Sequence, residues 1–288
     1  MDTHQDEIRT MAEQIRLGRR GFAVTSLAAG FALAVRPVSA ATITTDTNGL
    51  TAGEVKIPVP DGSIPGYRAM PAGSTGAPTV LVIHEVFGVH EHIKDLCRRL
   101  AKAGYYAAAP LLYSREGDVA KAPDIQAIMA IVDKVKDDQV KSDLDSTAAF
   151  AKAEKADTAK LGVTGFCWGG RQTWLYVAAN PAVKAGVAWY GPLVGRPGGP
   201  GPNPIDVADK IKGRVLGLYG GKDQMITAAM VDRMRANLKA AGDTQSQIIV
   251  YPDAQHGFNA DYRPSYNEAD AKDGWAKMLA WFKAHGAA

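Results

Sequence analysis

Short continuous apolar runs alternate with segments of helical periodicity through most of this 288-residue sequence. Runs such as TVLVIH at 79–84 lack polar alternation, which indicates strands buried on both faces. Further strands are predicted at 105–111, 161–166, 184–189, 214–219 and 247–251. Helices are predicted at 90–103, 125–155 with a break near 137–138, 169–179, 228–241 and 266–284. The alternation predicts an α/β fold with a mostly parallel central sheet and helices on both faces.

The composition of the chain predicts one globular domain over residues 41–288. Apolar residues make up 46% of the chain and charged residues 22%, as in soluble globular proteins. The net charge is +3 and the basic residues are scattered, so nucleic-acid binding is not indicated. Residues 41–60, rich in Thr, Gly and Pro, are predicted to form an extended lead-in with an edge strand.

The first 40 residues have the pattern of an export signal. Arg19 and Arg20 precede an apolar run at 22–35, and small residues follow up to Ala40. This resembles a twin-arginine signal peptide, and the run is short for a membrane span, which needs about 20 apolar residues. We expect cleavage after Ala40, with an uncleaved anchor as the alternative. The twin-arginine export machinery would then be a partner, and the mature protein would be periplasmic or secreted without stable membrane association.

The motif GFCWGG at 165–170 lies between a predicted strand and a predicted helix. In that context, Gly-x-nucleophile-x-Gly is typical of the nucleophile elbow of α/β-hydrolases, whose tight turn requires glycine where backbones approach closely. Cys167 is therefore predicted to lie at a helix N-terminus, where the helix dipole favours a thiolate. For this motif alone, a buried cysteine beside a helix-packing glycine is the alternative.

Partners for Cys167 follow it in the order that this fold expects. Asp223 follows the strand RVLGLYG, and His256 follows the strand QIIVYP. His256 would accept the thiol proton, and Asp223 would orient the imidazole. The thiolate would attack an ester or lactone carbonyl. Backbone N–H groups of Trp168 and Val86 would stabilise the resulting oxyanion.

Together, HEVFG at 84–88, LYSR at 112–115, GFCWGG, Asp223 and HGF at 256–258 resemble the dienelactone hydrolases, or carboxymethylenebutenolidases. The resemblance covers nearly all of the chain after residue 40. It implies hydrolysis of a small ester or lactone through a thioester, without a cofactor. It also implies that Glu85 sits beside the cysteine and helps to activate the thiol, and that Arg115 binds a substrate carboxylate.

The sequence departs from the family at one position, where Ala260 replaces a second carboxylate-binding arginine. Arg263 is nearby but is not an aligned match. The departure leaves open a broader periplasmic carboxylesterase or thioesterase. Four aromatic residues on motif loops are predicted to line the acyl pocket, namely Phe87, Tyr113, Trp168 and Phe258.

Other signals are weaker. HEVFGVHEH is not H-E-x-x-H, because Gly88 takes the place of the second histidine. His90 and His92 are two residues apart on a predicted helix and should diverge, so no metal is predicted. No G-x-G-x-x-G follows a strand, and Cys97 is predicted to pack in the core. The loop at 191–204 either covers the site or connects two elements.

A non-catalytic, thiol-based redox-responsive protein on the same scaffold is the alternative from another functional class. A low-pKa thiol in an oxidising compartment could form a sulfenic acid. The sequence offers no resolving cysteine close to Cys167 in the chain, because Cys97 is the only other cysteine. This weakens the redox alternative.

Overall fold

A computed structural model describes residues 43–195, 201–212 and 214–288. Within them, eight strands form one sheet in the order β1-β2-β4-β3-β5-β6-β7-β8. β1 and β2 form an antiparallel hairpin at one edge, β2 pairs antiparallel with β4, and the remaining neighbours are parallel. The strands are β1 Leu50–Val59, β2 Gly62–Pro71, β3 Pro78–Ile83, β4 Tyr106–Pro110, β5 Asp157–Phe166, β6 Val183–Trp189, β7 Val215–Gly220 and β8 Gln247–Tyr251.

The described helices are α1 Glu91–Lys102, α2 Ile125–Val132, α3 Asp137–Ala153, α4 Trp168–Ala179, α5 Ala228–Ala240 and α6 Glu268–Ala284. Short 3₁₀ segments cover Val119–Lys121 and Pro204–Lys210. The break predicted in 125–155 is confirmed, since α2 ends at Val132 and α3 begins at Asp137. Among the described residues, no helix is both long enough and apolar enough to cross a membrane.

Helices cover both faces of the sheet, as predicted. A Cβ at Gly186 of β6 would touch Val177 of α4. Three residues further on, Trp189 packs against Gly274 of α6. Because side chains alternate between the two faces of a strand, α4 and α6 lie on opposite sides of β6. The predicted α/β class is therefore confirmed.

The predicted edge strand within 41–60 is confirmed as β1, but β2 is not predicted from the sequence. Val59 pairs with Gly62, so Pro60 and Asp61 form a two-residue turn, and Gly62 has a φ of 141°. The strand GSIPGYRAMP contains two glycines and two prolines, residues that are depleted in strands. It is tolerated because it pairs with an outer strand at the edge of the sheet.

The parallel strands bring their carboxyl ends together at one edge of the sheet, which is where ligands bind in open α/β sheets. Glu85 follows β3, Cys167 follows β5 and Tyr190 follows β6, while Asp223 and His256 lie beyond β7 and β8. The fold therefore gathers the predicted chemical groups. The signal predicted at 1–40 lies outside the described residues, as do residues 196–200 of the predicted loop.

Candidate active site

Cys167 occupies a tight turn between β5 and α4. Its φ of 54° and ψ of −117° lie outside the regions that residues with side chains usually adopt. A Cβ at Gly165 would lie 2.1 Å from the carbonyl oxygen of Gly169, and one at Gly169 would lie 2.3 Å from that of Ile83. Both positions therefore require glycine, as the motif predicts. α4 begins at Trp168, so the thiol lies at a helix N-terminus.

Cys167, His256 and Asp223 form one hydrogen-bonded chain. His256 Nε2 lies 3.1 Å from Cys167 Sγ, and His256 Nδ1 lies 2.8 Å from Asp223 Oδ2. The other carboxylate oxygen of Asp223 accepts hydrogen bonds from the N–H groups of Met225 at 2.8 Å and Ile226 at 3.1 Å. These bonds fix the carboxylate against the imidazole. The structure thus brings together the three residues that the sequence predicts as partners.

The charge state of His256 reflects two opposing effects. Burial lowers the pKa of His256, whereas the neighbouring Cys167 thiolate and the Asp223 carboxylate raise it. The net direction is upward from the ordinary value. The protonated form of the His256 imidazole is therefore favoured at this site.

The two residues whose backbone amides are predicted to form an oxyanion site, Val86 and Trp168, both follow strands at the carboxyl edge of the sheet. Val86 follows β3 in the HEVFG loop, and Trp168 is the first residue of α4. The N–H groups of a helix's first turn have no acceptor within the helix. Among the described residues, the Val86 N–H donates to no hydrogen bond.

The HEVFG loop is anchored by the buried side chain of His84. Its Nδ1 lies 2.7 Å from the carbonyl oxygen of Glu85, and its Nε2 accepts from the N–H of Leu112 at 3.1 Å. This pattern defines the tautomer, with the proton on Nδ1. Burial lowers the pKa of His84 to about 4, so the ring is neutral at neutral pH.

Glu85 is fully buried and engages three side chains. Arg263 Nη2 lies 3.1 Å from its Oε1, the hydroxyl of Tyr262 donates to its Oε2, and His90 Nε2 lies 3.8 Å from Oε2. Burial raises the pKa of Glu85, but Arg263 and the histidines outweigh burial and hold the pKa well below its usual range. Glu85 is therefore an ionised carboxylate paired with Arg263, while the thiol pairs with His256.

Arg263 and Tyr262 are site residues that sequence reasoning did not assign. Arg263 is 3% exposed, and its guanidinium lies 5.1 Å from the centroid of the Phe87 ring. Arg263 Nε also donates to the hydroxyl of Tyr262 at 3.2 Å. The sequence signal that could have identified Arg263 is its position, seven residues after His256. Its contact with Glu85 joins segments 178 positions apart, which no local pattern reveals.

The prediction that His90 and His92 diverge is wrong. Their rings stack with centroids 6.1 Å apart and planes 18° apart. His90 is the N-cap of α1 with extended φ and ψ of −87° and −179°, so helical spacing does not apply to it. His92 Nδ1 instead lies 2.9 Å from Asp261 Oδ1. The described residues hold no group of three or more His, Cys, Asp or Glu side chains that could bind a metal ion.

Arg115, predicted to bind a substrate carboxylate, is paired with two carboxylates of the protein. Its Nη2 lies 2.7 and 2.9 Å from the oxygens of Asp143, and its Nε lies 3.1 Å from Asp61. A substrate carboxylate would have to compete with both. The prediction that Arg115 binds substrate has no support from this arrangement.

The four aromatic residues predicted for the acyl pocket differ in position. Tyr113 is buried, with its ring 4.7 Å from that of His84 and 4.9 Å from that of Trp168, and Phe87 contacts Arg263. Both therefore border the site. Phe258 has no exposed surface and packs against Trp189, Tyr190 and Tyr251. A packing role, and not substrate contact, describes Phe258 here. Cys97 is buried within α1, as predicted.

The sheet order and the strand–turn–helix geometry at Cys167 define an α/β-hydrolase. The fold resembles a Pyrococcus horikoshii acylaminoacyl peptidase, with a TM-score of 0.66 at 17% identity, covering 84% of this chain and 44% of that one. More specifically, the model of the dienelactone hydrolase family matches residues 64–286. The chain therefore belongs to the dienelactone hydrolase family, a family of hydrolases.

Relatives and a solved structure agree with this assignment. A Methylorubrum extorquens protein named "Putative carboxymethylenebutenolidase" is 59% identical over 292 residues, covering all of both chains. An Escherichia coli protein of the same name is 49% identical over 265 residues, covering 91% of this chain and 97% of that one. The crystal structure of a "Putative Dienelactone Hydrolase" from Klebsiella pneumoniae has 50% identity and a TM-score of 0.78, covering 81% of this chain and 98% of that one.

Proposed function

We propose that this protein hydrolyses a small ester or lactone with Cys167 as the nucleophile. The observation that carries the proposal is the hydrogen-bonded chain from Cys167 through His256 to Asp223, built on a strained turn at the sheet edge. A thiolate is a strong nucleophile toward an acyl carbon, and an imidazole held by a carboxylate can both accept and donate a proton.

The reaction proceeds in two halves. The Cys167 thiolate attacks the carbonyl carbon, and the N–H groups of Val86 and Trp168 stabilise the oxyanion. The intermediate then collapses to a thioester as the imidazolium of His256 protonates the leaving oxygen. Next, His256 removes a proton from water, and the hydroxide attacks the thioester. Collapse of this second intermediate releases the acid and restores the thiolate.

Glu85 acts in this proposal as a buried carboxylate that holds Arg263 in place through their ion pair. The negative charges of Glu85 and, to a smaller extent, of the Cys167 thiolate raise the pKa of Arg263. A substrate carrying a carboxylate would compete with Glu85 for that guanidinium. Freed from Arg263, Glu85 could then take part in activating the thiol, as the family resemblance implies.

The substrate is either a dienelactone-like compound or a wider range of small esters and thioesters. Two observations favour the wider range: Ala260 is a small buried residue, and Arg115 is already engaged with Asp143 and Asp61. The variant Ala260→Arg separates the two. A lactone preference that appears or strengthens in this variant would assign the difference to position 260.

The experiment that tests the function follows hydrolysis of p-nitrophenyl acetate and of a dienelactone by residues 41–288. Native protein, Cys167→Ala and the matched control Cys97→Ala are compared. We expect many turnovers from the native protein and from Cys97→Ala, and none from Cys167→Ala. Repeated turnover would also argue against a redox-responsive protein, which would react once. Equal rates for native and Cys167→Ala protein would contradict the proposal. They would mean that GFCWGG is only a packing turn and that Cys167 is not the nucleophile.

We further propose export through the twin-arginine machinery, with residues 1–40 removed and residues 41–288 retained as one periplasmic or secreted domain. The support is the Arg19-Arg20 pair and the apolar run that follows it. Replacing both arginines by lysine should leave full-length precursor inside the cell. Fractionation showing undiminished export of the lysine variant would contradict the proposal.

A further inference from the structure

The turn that ends β6 lies directly against the turn that carries Cys167. In this post-β6 turn, residues 189–191, the carbonyl oxygen of Trp189 accepts a hydrogen bond from the Cys167 N–H at 3.0 Å. A Cβ at Gly170 would lie 2.6 Å from that oxygen, and one at Gly191 would lie 2.4 Å from the carbonyl carbon of Gly170. The two backbones are therefore in contact, and a displacement of the post-β6 turn would reach the nucleophile.

The post-β6 turn also contacts His256. Tyr190 has a φ of 39°, a conformation that residues with bulky side chains rarely adopt, and its N–H donates to the carbonyl oxygen of Leu218 at 2.7 Å. The centroid of its ring lies 5.1 Å from that of the imidazole, with the two planes at 65°. The same short turn thus touches two members of the proposed catalytic chain, Cys167 and His256.

A buried phenol on β7 holds the end of this turn. The hydroxyl of Tyr219 donates to the carbonyl oxygen of Gly191 at 3.1 Å and accepts from the indole N–H of Trp174 at 3.0 Å. Both aromatic side chains are fully buried. Because an indole nitrogen can only donate, the single proton of the hydroxyl is left for Gly191. Trp174 therefore fixes the direction of the hydrogen bond to the turn.

The sequence of β7 leaves room for this contact. Gly217 and Tyr219 are two residues apart on a strand, so they share one face of the sheet. A Cβ at Gly217 would lie 2.7 Å from Cε2 of Tyr219 and 3.1 Å from Cζ2 of Trp174. The glycine in RVLGLYG thus provides the space in which the two rings meet.

We propose that Tyr219 is a positioning residue for ester hydrolysis, because its hydroxyl holds the post-β6 turn against both Cys167 and His256. The turn would maintain the separation of 3.1 Å between Cys167 Sγ and His256 Nε2. This inference rests on the proposed function and adds a residue that acts through the turn. Reaction rates are sensitive to such geometry, since a displacement of about 1 Å can cost about a hundredfold in rate.

The first test compares Tyr219→Phe with native protein in the hydrolysis of p-nitrophenyl acetate. The substitution removes the hydroxyl and keeps the ring, so the packing around β7 should persist. We expect kcat to fall about tenfold or more, because the reacting groups are less well aligned. KM should stay within about twofold of the native value, since the lost contact is not with the substrate.

Tyr176→Phe is the matched control. Tyr176 is a buried phenol on α4, and its hydroxyl donates to Asp145 on α3 at 2.9 Å. Both variants should lower the melting temperature, because each leaves a buried polar group without a partner. Only Tyr219→Phe should lower kcat. An unchanged kcat in Tyr219→Phe, or an equal loss in Tyr176→Phe, would overturn the positioning role.

Alkylation by iodoacetamide separates this inference from the proposed function, because it requires no ester turnover. The chain has two cysteines, so in Cys97→Ala the only thiol is that of Cys167. Adding Tyr219→Phe should slow alkylation at pH 7 about fivefold or more, because a displaced imidazole accepts the thiol proton less readily. Adding Tyr176→Phe should leave the alkylation rate unchanged.

Equal alkylation rates in the three proteins would refute the role of Tyr219, whether or not the protein hydrolyses esters. Slower alkylation in the Tyr219→Phe protein alone, from a chain that hydrolyses no ester, would support the hold of Tyr219 on Cys167 and His256 while refuting the proposed function.

Discussion

Arg263 and Glu85 form an ion pair whose nearest atoms are 3.1 Å apart, and their side chains are 1% and 0% exposed. This ion pair thus joins residues that are 178 positions apart in the chain. Removing one member of such a pair leaves the other charge buried and unpaired, which costs more than the pair itself contributes.

We expect Arg263→Met to lower the free energy of unfolding by about 3–5 kcal/mol, because Glu85 would keep a buried charge without its partner. Adding Glu85→Gln to that variant should restore much of the loss. Urea unfolding of the native, single and double variants measures both effects. Arg235→Met, which breaks an exposed pair with Asp232, should cost at most about 1 kcal/mol. Additive losses in the double variant would show that the two side chains are not coupled.

As the pH falls, His84 should destabilise the protein before the carboxylates become protonated. Burial lowers the pKa of His84 from 6.5 to about 4, so between these values the unfolded chain binds a proton that the folded protein does not. Stability is therefore lost as the pH falls through this window, by roughly 3 kcal/mol in total, and does not fall further from this residue below about pH 4.

The check is urea unfolding of native and His84→Gln protein between pH 7 and pH 4.5. A glutamine oxygen can still accept from the Leu112 N–H, so the fold should persist. The variant should show a shallower loss of stability toward acid. Its remaining slope would include His90, whose pKa burial also lowers. Parallel curves for the two proteins would rule out a neutral, buried His84.

Gly169→Ala should disrupt the turn that carries Cys167. The new methyl group would lie 2.3 Å and 2.6 Å from the carbonyl oxygens of Ile83 and His84, and backbone atoms cannot yield as a side chain can. We expect a loss of at least about 3 kcal/mol in unfolding free energy, together with loss of ester hydrolysis. Gly53→Ala is the matched control, since a Cβ there meets nothing within 4 Å. A stable and active Gly169→Ala protein would contradict this geometry.

Asp223→Asn should preserve the fold but lower kcat for ester hydrolysis on the order of a thousandfold or more. The amide oxygen can still accept from the backbone of Met225 and Ile226, but the amide nitrogen cannot accept from His256 Nδ1. Rates for p-nitrophenyl acetate are compared with those of Asp253→Asn, an exposed residue paired with Lys222. If the two variants had similar rates, Asp223 would have no role in orienting the imidazole.

Local sequence pattern was sufficient for the parallel strands and for the partners of Cys167. Each buried strand is a continuous apolar run, and each proposed catalytic residue directly follows a strand or its turn, so order along the chain predicts position in space. β2 was not predicted, because its prolines and glycines interrupt the apolar run that marks the other strands. Its turn nevertheless contains Asp61-Gly62, a pair that commonly marks a hairpin.

The charged surroundings of Glu85 could not be predicted in the same way. Arg263, Tyr262 and His90 reach the carboxylate from a loop after β8 and from the start of α1, and none belongs to a motif of its own. The two histidines were judged by helical spacing, yet His90 lies just outside the helix. Such contacts depend on tertiary packing and become visible only when the fold is assembled.

The segment before β1 has a practical bearing on how the protein is prepared. The N–H of Ile43 donates to Asp261 at 2.9 Å, and that of Thr45 donates to Asp95 at 2.5 Å. Asp261 in turn holds His92, whose ring lies 5.4 Å from that of Tyr262. A recombinant protein that begins at β1 would lack the N–H groups of Ile43 and Thr45. The buried carboxylates of Asp261 and Asp95 would then each lose a hydrogen-bond donor. An affinity tag is therefore better joined ahead of Ile43 or placed at the carboxyl terminus.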